Sequence, residues 1–539
     1  MNRQCPSIFN DIIGPVMIGP SSSHTCAPAR IGFLVRQLLH HELKKATIEF
    51  ARTGAYTNMY RGQRSDYGFT SGLLGNRPES YSLHNAIAEA KKKNVEILFE
   101  ISDFEATVPN LARLTLESDF GEKVTVYSDS TGGGTIKLLN IDGFDVSMVG
   151  DCYEILIFTE NNEDTLAAAV NKLNDIFAEN EGFTTSFSGD KALINIKRRS
   201  NVSPADMAAI KQIDSIEDIK VIEPVLAVLS NRNCSVPFKS AEELLAKSVK
   251  EGKELWELAI DYECARSGWT SEQVISYMEK MIDIMVSGVH EAMTGNIDMH
   301  GIIKPTAGKI SEGAKNSPTW IDMGVLNTAV PWSIATMEYS SAMGKVLCAP
   351  TGGSAGVIPG AILGIGETLD LSLEEKVKGM LATAVVGICM SKDYNYSAEL
   401  YGCQVEPGAA SAMAAAGLCY FMGGTVKQSL DAASCAIQNI LGTICDPVAG
   451  LVQVPCIGRN AMSTANALVC ANIVINGFDP CIPLDESAET MFRVGKQLPS
   501  ELRCTCNGGL CTTPTGIRLA KEQDERNNTC KCGAAIISE

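Results

Sequence analysis

The sequence predicts a multidomain protein: an α+β N-terminal domain, a small domain of alternating strands and helices, and a mainly α-helical C-terminal domain. Three observations predict it. The 539 residues suffice for about three domains at roughly 150 residues each. Short strand-like runs punctuated by glycine turns are confined to residues 1–225. Beyond them the pattern turns helical, and Ala, Gly, Met and Cys outweigh the 6% of aromatic residues, a mixture suited to closely packed helices. With 45% apolar and 20% charged residues, the chain can bury sizeable cores, which excludes disorder as its main state.

In residues 1–150, runs at 46–50, 95–101 and 124–127 read as strands, and turns fall at 132–134 and 142–143 within STGGGTIKLLNIDGF. Residues 151–225 change order. Apolar alternation at 153–158, a helical stretch at 164–178, strands at 184–188 and 192–196, a helix at 205–213 and a strand at 219–222 make a βαββαβ unit. That order resembles the ACT domains, small modules that commonly bind amino acids and regulate an attached enzyme. The first turn, Asn161-Asn162-Glu163-Asp164, lacks the glycine of the usual ACT ligand site, so a ligand-binding module and a packing module both stay open. Residues 226–240 read as a linker. Residues 241–502 read as the helical domain, opening on Ser240 as a cap with Glu243 able to reach back. Residues 503–539 form a Cys-rich tail holding Cys504, Cys506, Cys511, Cys530 and Cys532.

A net charge of −18, well spread along the chain, argues against sequence-independent binding to nucleic acid or to an anionic membrane surface. No apolar run is long enough to span a bilayer, and the start lacks a basic flank followed by an apolar stretch. A cytoplasmic protein is expected, and its 19 cysteines are then reduced rather than a disulfide framework.

Three cysteines interrupt helical pattern at bends: Cys403 in YGCQVEPG, Cys445 in ICDPVAG and Cys456 in VPCIGRN, each near a proline. Proline fixes φ and removes a donor, so each thiol is expected on a rigid bend outside the helical ladder. Their separations of 42 and 11 residues are not the close spacing of a zinc ribbon or ferredoxin. Two readings remain from spacing alone. The thiols are buried hydrophobes, or they converge on a [4Fe–4S] cluster whose fourth iron, lacking a protein ligand, acts as a Lewis acid.

The runs IIGPVMIGPSSSHTCAPARIG, STGGGTIKLLNIDGF, APTGGSAGVIPG, GCQVEPGAASAMAAAG and CDPVAGLVQVPCIGRNAM resemble the iron–sulfur-dependent L-serine dehydratases over nearly the whole chain. The resemblance implies a β-type N-terminal part fused to an α-type catalytic part, with Cys403, Cys445 and Cys456 holding a [4Fe–4S] cluster. It also implies conversion of L-serine to pyruvate and ammonia, an amino-acid substrate as the small-molecule partner, and a homodimer or higher homo-oligomer. By the same resemblance Ser21, Ser22, Ser23, His24 and Thr25 sit at or beside the substrate. So do the turn of Thr351, Gly352 and Ser354, and the loop bearing Lys304. Read without it, the SSSHT run is a polar loop capping a helix near Pro28, and Lys304 is an ordinary surface lysine. Asn460 is expected either to bind a substrate carboxylate or to cap a helix. His40, His41, His84, His290 and His300 show no metal-ligand spacing.

The chain departs from its relatives in the loop TGAYTNMYRGQRSDYGF. Many family members carry a histidine there ahead of a Thr-Asp pair, a suspected base; here Gln63 and Arg64 precede Ser65 and Asp66. Arginine cannot act as a base at pH 7. Either Arg64 grips a carboxylate bidentately, leaving proton abstraction to His24 or an iron-bound oxygen, or the substrate is another β-substituted amino acid. The segment DYNYSAELYG before Cys403 departs as well.

Two other readings compete. STGGGTIKL looks like a phosphate-cradling loop, which would suit a pyridoxal-phosphate dehydratase. The tail cysteines could instead hold zinc in a regulatory ACT protein. A further expectation is that Cys530 or Cys532 reaches the open iron and blocks substrate.

Overall fold

The computed structural model describes residues 5–391 and 394–529. Its N-terminal region is built on sheets and its C-terminal region on helices. A short strand β1 (Val16–Ile18) comes first. Strands β2 (Leu43–Ala51), β3 (Glu96–Ser102), β4 (Leu111–Ser118), β5 (Lys123–Gly132), β6 (Thr135–Ile141) and β7 (Phe144–Met148) then form a six-stranded sheet in the order β3-β2-β4-β5-β6-β7. Only β2 and β3 run parallel; the other neighbours are antiparallel. The inward face of β2 carries Ala46, Ile48 and Phe50, all fully buried, the period of two expected of a half-buried strand.

Helices Ala27–Arg36 and Ser65–Leu73 cover that sheet. They cross at glycine: a Cβ on Gly72 would lie 2.2 Å from Ala29 O, and one on Gly32 2.7 Å from Phe69 O. No larger residue permits this approach. The crossing fixes the loop that precedes Ala27, which carries the SSSHT run.

Strands β8 (Tyr153–Glu160), β9 (Gly182–Ser188), β10 (Lys191–Arg198) and β11 (Ile216–Ile222) form a second antiparallel sheet in the order β11-β8-β10-β9. Helices Glu163–Ile176 and Pro204–Ile210 cover one face through Ile155, Ile157, Leu173, Ile194 and Ile196. Leu156, Leu193 and Ile222 on the other face join the core of the six-stranded sheet. Asn162 caps Glu163–Ile176 by accepting from the amides of Asp164 and Thr165.

The helical region surrounds Pro407–Phe421, a helix so buried that Ala409 to Ala416 are all shielded. Helices Leu373–Met390, Val426–Gln438 and Cys456–Ile475 pack against it. As expected, Ser240 caps Ala241–Glu251, accepting from Glu243 N, while the Glu243 carboxylate reaches Lys239 N rather than the cap itself. Among the described residues no helix is long and apolar enough to cross a membrane.

Two segments assigned by sequence to a linker or to the other body are packed into the helical core. Ile8, Phe9, Ile12 and Ile13 lie in it, although they belong in sequence to the α+β part. So do Val228 and Phe238 of the expected linker, with Asn10 bonded to both backbone groups of Val228. Polar composition marked that stretch as exposed, but its few apolar side chains decide its place. Strand β12 (Lys345–Leu347) pairs antiparallel with β1, tying the two regions together. The tail also docks. Residue 504 bonds back to Cys445, and Pro514–Thr529 is a helix whose Gln523 donates to His300 O. Cys530 and Cys532 lie outside the described residues.

Candidate active site and metal centre

Cys403 follows Gly402, whose φ of 76° turns the chain, and precedes Pro407 at the start of the central helix. Cys445 is held from both sides of its backbone: its N–H donates to Leu502 O at 2.9 Å, and its carbonyl accepts from Cys504 N at 3.0 Å. Cys456 is the first residue of Cys456–Ile475, directly after Pro455. All three thiols are buried. The ligand atoms of Cys403, Cys445 and Glu406 lie within 4.8 Å of one another. Cys456 stands outside that tight trio, but its thiol feels the charges of Cys403, Glu406 and Asp446.

This donor set is suited to a cation. Burial and mutual proximity push all three thiols well above their ordinary pKa, so without a positive centre they keep their protons. A bound metal centre displaces those protons and repays the cost of gathering anions in one buried place. Arg459 supplies one permanent counter-charge. Its Nη1 lies 3.6 Å from Cys403 Sγ and donates to Ile444 O at 2.8 Å, and its Nη2 meets Asp446 Oδ1 at 2.8 Å. Arg459 was not singled out from sequence, although its place one helical turn after Cys456 is a usable signal.

Glu406 was missed as well. Desolvation raises its pKa to about 7, Thr351 Oγ1 donates to it at 2.8 Å, and Gly353 leaves room for it, since a Cβ there would lie 2.8 Å from its carboxylate. The Thr351–Ser354 turn thus reaches the thiols through Glu406. Ser354 Oγ is occupied by its own turn, donating to Ala349 O at 3.0 Å. Gly352 abuts the other domain, where a Cβ would meet Ser22 N at 2.7 Å.

That contact brings in the SSSHT loop, a wide helical turn over Ser22–Cys26. Ser21 Oγ accepts from His24 N at 3.1 Å, and Thr25 Oγ1 donates to Gln63 O at 2.6 Å. Ser65 Oγ donates to His24 O at 2.6 Å. These hydroxyls hold the loop rather than project from it. His24 is fully buried; Nδ1 lies 2.9 Å from Ser23 Oγ and 3.7 Å from Glu399 Oε1, and Nε2 has no partner among the described residues. Desolvation lowers the His24 pKa, against the opposing pull of Glu399. Tyr56 stands edge-on to the imidazole, with centroids 4.9 Å apart. Asp129 of β5 is buried nearby, its pKa raised to about 6 by desolvation and then by Glu399. Glu399 and Asp129 escaped the sequence reading because their partners are distant in the chain.

Other expected residues fall differently. Arg64 adopts φ 62° and packs over Tyr67, and it lines a cleft with Pro20, Gly62, His300, Val452 and Gln453. Asp66, next to it, has a pKa raised to about 6, by desolvation that outweighs Arg64. Lys304 is solvent-exposed, and its neighbour Ile303 lines a shallow cavity of about 430 Å³ beside Arg459. Asn460 is fully buried and its amide is spent. Nδ2 donates to Gly353 O at 2.8 Å and to Cys456 O at 2.9 Å, and Oδ1 accepts from Gly356 N at 3.1 Å. It has no atom left to bind a carboxylate.

The glycine loop after β5 cradles protein, not phosphate. A Cβ on Gly132 would lie 2.7 Å from Ser397 and one on Gly134 3.2 Å from Pro15, and Arg30 donates to Gly134 O at 2.7 Å. The described tail thiols do not form a separate zinc site either. Cys504 lies within hydrogen-bonding reach of Cys445, and Cys506 and Cys511 both donate to Pro447 O.

Comparison with known proteins agrees with this two-part site. The family model described as serine dehydratase beta chain matches residues 7–136, and that described as serine dehydratase alpha chain matches residues 250–511. The probable L-serine dehydratase alpha chain of Bacillus subtilis (strain 168) is 33% identical over 285 residues, covering 53% of this chain and 95% of that protein. The L-serine dehydratase alpha chain of Peptoniphilus asaccharolyticus is 34% identical over 286 residues, 53% and 98% respectively. L-serine dehydratase 1 of Escherichia coli (strain K12) is 31% identical over 288 residues, 51% and 61%. With its thiols, its SSSHT loop and both family segments in a single polypeptide, the chain belongs to the serine dehydratase family, as an enzyme that fuses the beta-chain and alpha-chain regions.

Proposed function

We propose that this chain dehydrates and deaminates L-serine to pyruvate and ammonia at a [4Fe–4S] cluster held by Cys403, Cys445 and Cys456. The observation that carries the reading is the convergence of the Cys403 and Cys445 thiols with Glu406 beneath a loop supplied by the other domain. When bound, such a cluster offers an iron with an open position, a Lewis acid for a poor leaving group.

The chain's own residues do the rest. His24 is the base. Its lowered pKa keeps the imidazole neutral near pH 7, and the unpartnered Nε2 is free to take the α-proton. Ser21 and Thr25 hold its loop, Ser22 packs against Gly352, and Ser23 contacts Nδ1. Thr351, Gly352 and Ser354 place Glu406 and close the domain junction. Arg64, with Asp66 beside it, receives the substrate carboxylate from the cleft. Asn460 positions the glycine turn, and exposed Lys304 is assigned no step. Loss of the α-proton and the β-hydroxide yields 2-aminoacrylate and water; tautomerisation and hydrolysis then consume water and yield pyruvate and ammonia. We take the β8–β11 unit as an ACT-like packing module, since its second face is spent on the neighbouring sheet. Exposed Met462, Val469 and Ile473 on one side of Cys456–Ile475 support a homodimer.

Anaerobic reconstitution followed by iron and sulfide analysis tests the reading, with L-serine, D-serine, L-threonine and L-cysteine screened for ammonia and 2-oxo acid. We expect about four irons and four labile sulfides per chain, pyruvate from L-serine, and sedimentation at twice the 57.6 kDa of one chain. Zinc without labile sulfide overturns the cofactor. Release from another of the four amino acids but not from L-serine replaces the substrate.

A further inference from the structure

Glu399 is the second residue of the short helix Ala398–Tyr401, and its side chain is 3% exposed. Its two oxygens are treated differently. Oε2 accepts from Ser397 Oγ at 2.7 Å, while Oε1 makes no hydrogen bond among the described residues and faces His24 Nδ1 at 3.7 Å. Ser397 is itself wedged against Gly132 of the other domain. Ser23 Oγ, at 2.9 Å from Nδ1, can serve as donor or acceptor and so leaves the tautomer undecided. The carboxylate decides it. A negative charge beside Nδ1 repels a lone pair there and attracts a proton, and the opposite tautomer would also bury an unsatisfied N–H at Nε2.

We propose that Glu399 is a positioning residue for His24: held by Ser397, it keeps the proton on Nδ1 and the lone pair on Nε2. The inference rests on His24 as the base of the preceding reading. It replaces the missing loop histidine with a carboxylate–imidazole pair assembled across the domain junction. The titratable groups around the pair are Tyr56, edge-on to the ring; Asp129, which acts on Tyr56 and on which Glu399 acts; Glu406, on which Glu399 acts; and Cys504, which also feels Glu399.

The test uses the reconstituted full-length holoenzyme and the variants H24Q, E399Q, E399D, S397A and H24Q/E399Q, each checked for iron and sulfide content. If Glu399 works through His24, E399Q lowers kcat by about tenfold or more with KM nearly unchanged. It also moves the acid limb of kcat/KM to lower pH, because the charge that raised the imidazole pKa is gone. E399D recovers part of the loss, and S397A shows a smaller loss of the same kind. Adding E399Q to H24Q costs less than about a further twofold, the signature of two residues acting as one unit. Independent, multiplying losses overturn the proposal, as does a raised KM with kcat intact, which would make Glu399 a grip on the substrate ammonium. Should E399Q fail to load iron, S397A against S397A/H24Q decides by the same cycle. A wild-type enzyme that releases nothing from L-serine overturns the serine reading and this inference together, whereas an active wild type with an unaffected E399Q overturns the inference alone.

Discussion

Asn460 shows how a buried side chain can serve the site without touching substrate. Its amide joins Gly353 O and Gly356 N, in the turn that supports Glu406, to Cys456 O in the first turn of a thiol-bearing helix. In N460A two of those backbone groups lose their partner in a buried place, at about 1–3 kcal/mol each. We therefore expect about 2–6 kcal/mol less stability and a loss of bound iron, read by urea unfolding and iron analysis; an unchanged midpoint would remove the tether role. The sequence offered Asn460 as a cap or as a carboxylate binder, because an asparagine near a helix start has both uses. Its real partners come from a turn remote in the chain, which no local pattern reveals. Cys403 and Cys445, which lie with Glu406 in one close group, stand out in the sequence as proline-flanked thiols in an apolar bundle, and it is the family resemblance that joins Cys456 to them as a ligand set. Glu406 could have been found from its place one turn after Cys403. Glu399 could not, since only the fold brings His24 to it.

Strands and helices were legible where one face is buried, because burial imposes the period of two or 3.6. The βαββαβ order of residues 153–222 follows from such alternation. The three-residue strands β1 and β12 escaped notice, being too short for a period and joined across most of the chain. The turn after β5 carries its own prediction. Gly132 has φ +101°, and a Cβ there would fall 2.7–2.8 Å from Ser397, so G132A displaces the segment that holds Glu399. Gly75 has φ +83°, but a Cβ there would meet nothing within 4 Å among the described residues, so G75A carries only the backbone strain of about 1 kcal/mol. We expect G75A to retain turnover with a slightly lower melting temperature, and G132A to lose turnover by more than its melting temperature explains. Equal activity in the two would remove the loop from the machinery.

At the scale of the whole molecule, the body boundaries read from sequence were displaced by segments that cross them, and the crossing of the N-terminal segment has a measurable pH signature. Glu263, on Leu255–Ser267 of the helical region, accepts from Ser7 Oγ at 2.7 Å and from Ile8 N at 2.8 Å, and so anchors the start of the chain. Desolvation nonetheless raises its pKa from 4.5 to about 7, outweighing those two donors and the Arg266 charge. The unfolded chain releases this proton near pH 4.5, whereas the folded protein keeps it until near pH 7. Between those values the folded state holds more protons, so its stability is fullest below pH 4.5, falls as pH rises, and levels off above 7. The displacement corresponds to about 3 kcal/mol. Glutamine cannot ionise, so urea midpoints of E263Q and wild type, measured from pH 4.5 to 8, should converge at the acid end and separate toward the alkaline end, with wild type the steeper. Parallel curves would mean that the carboxyl already ionises in the folded state and that the donors from Ser7 and Ile8 outweigh its burial.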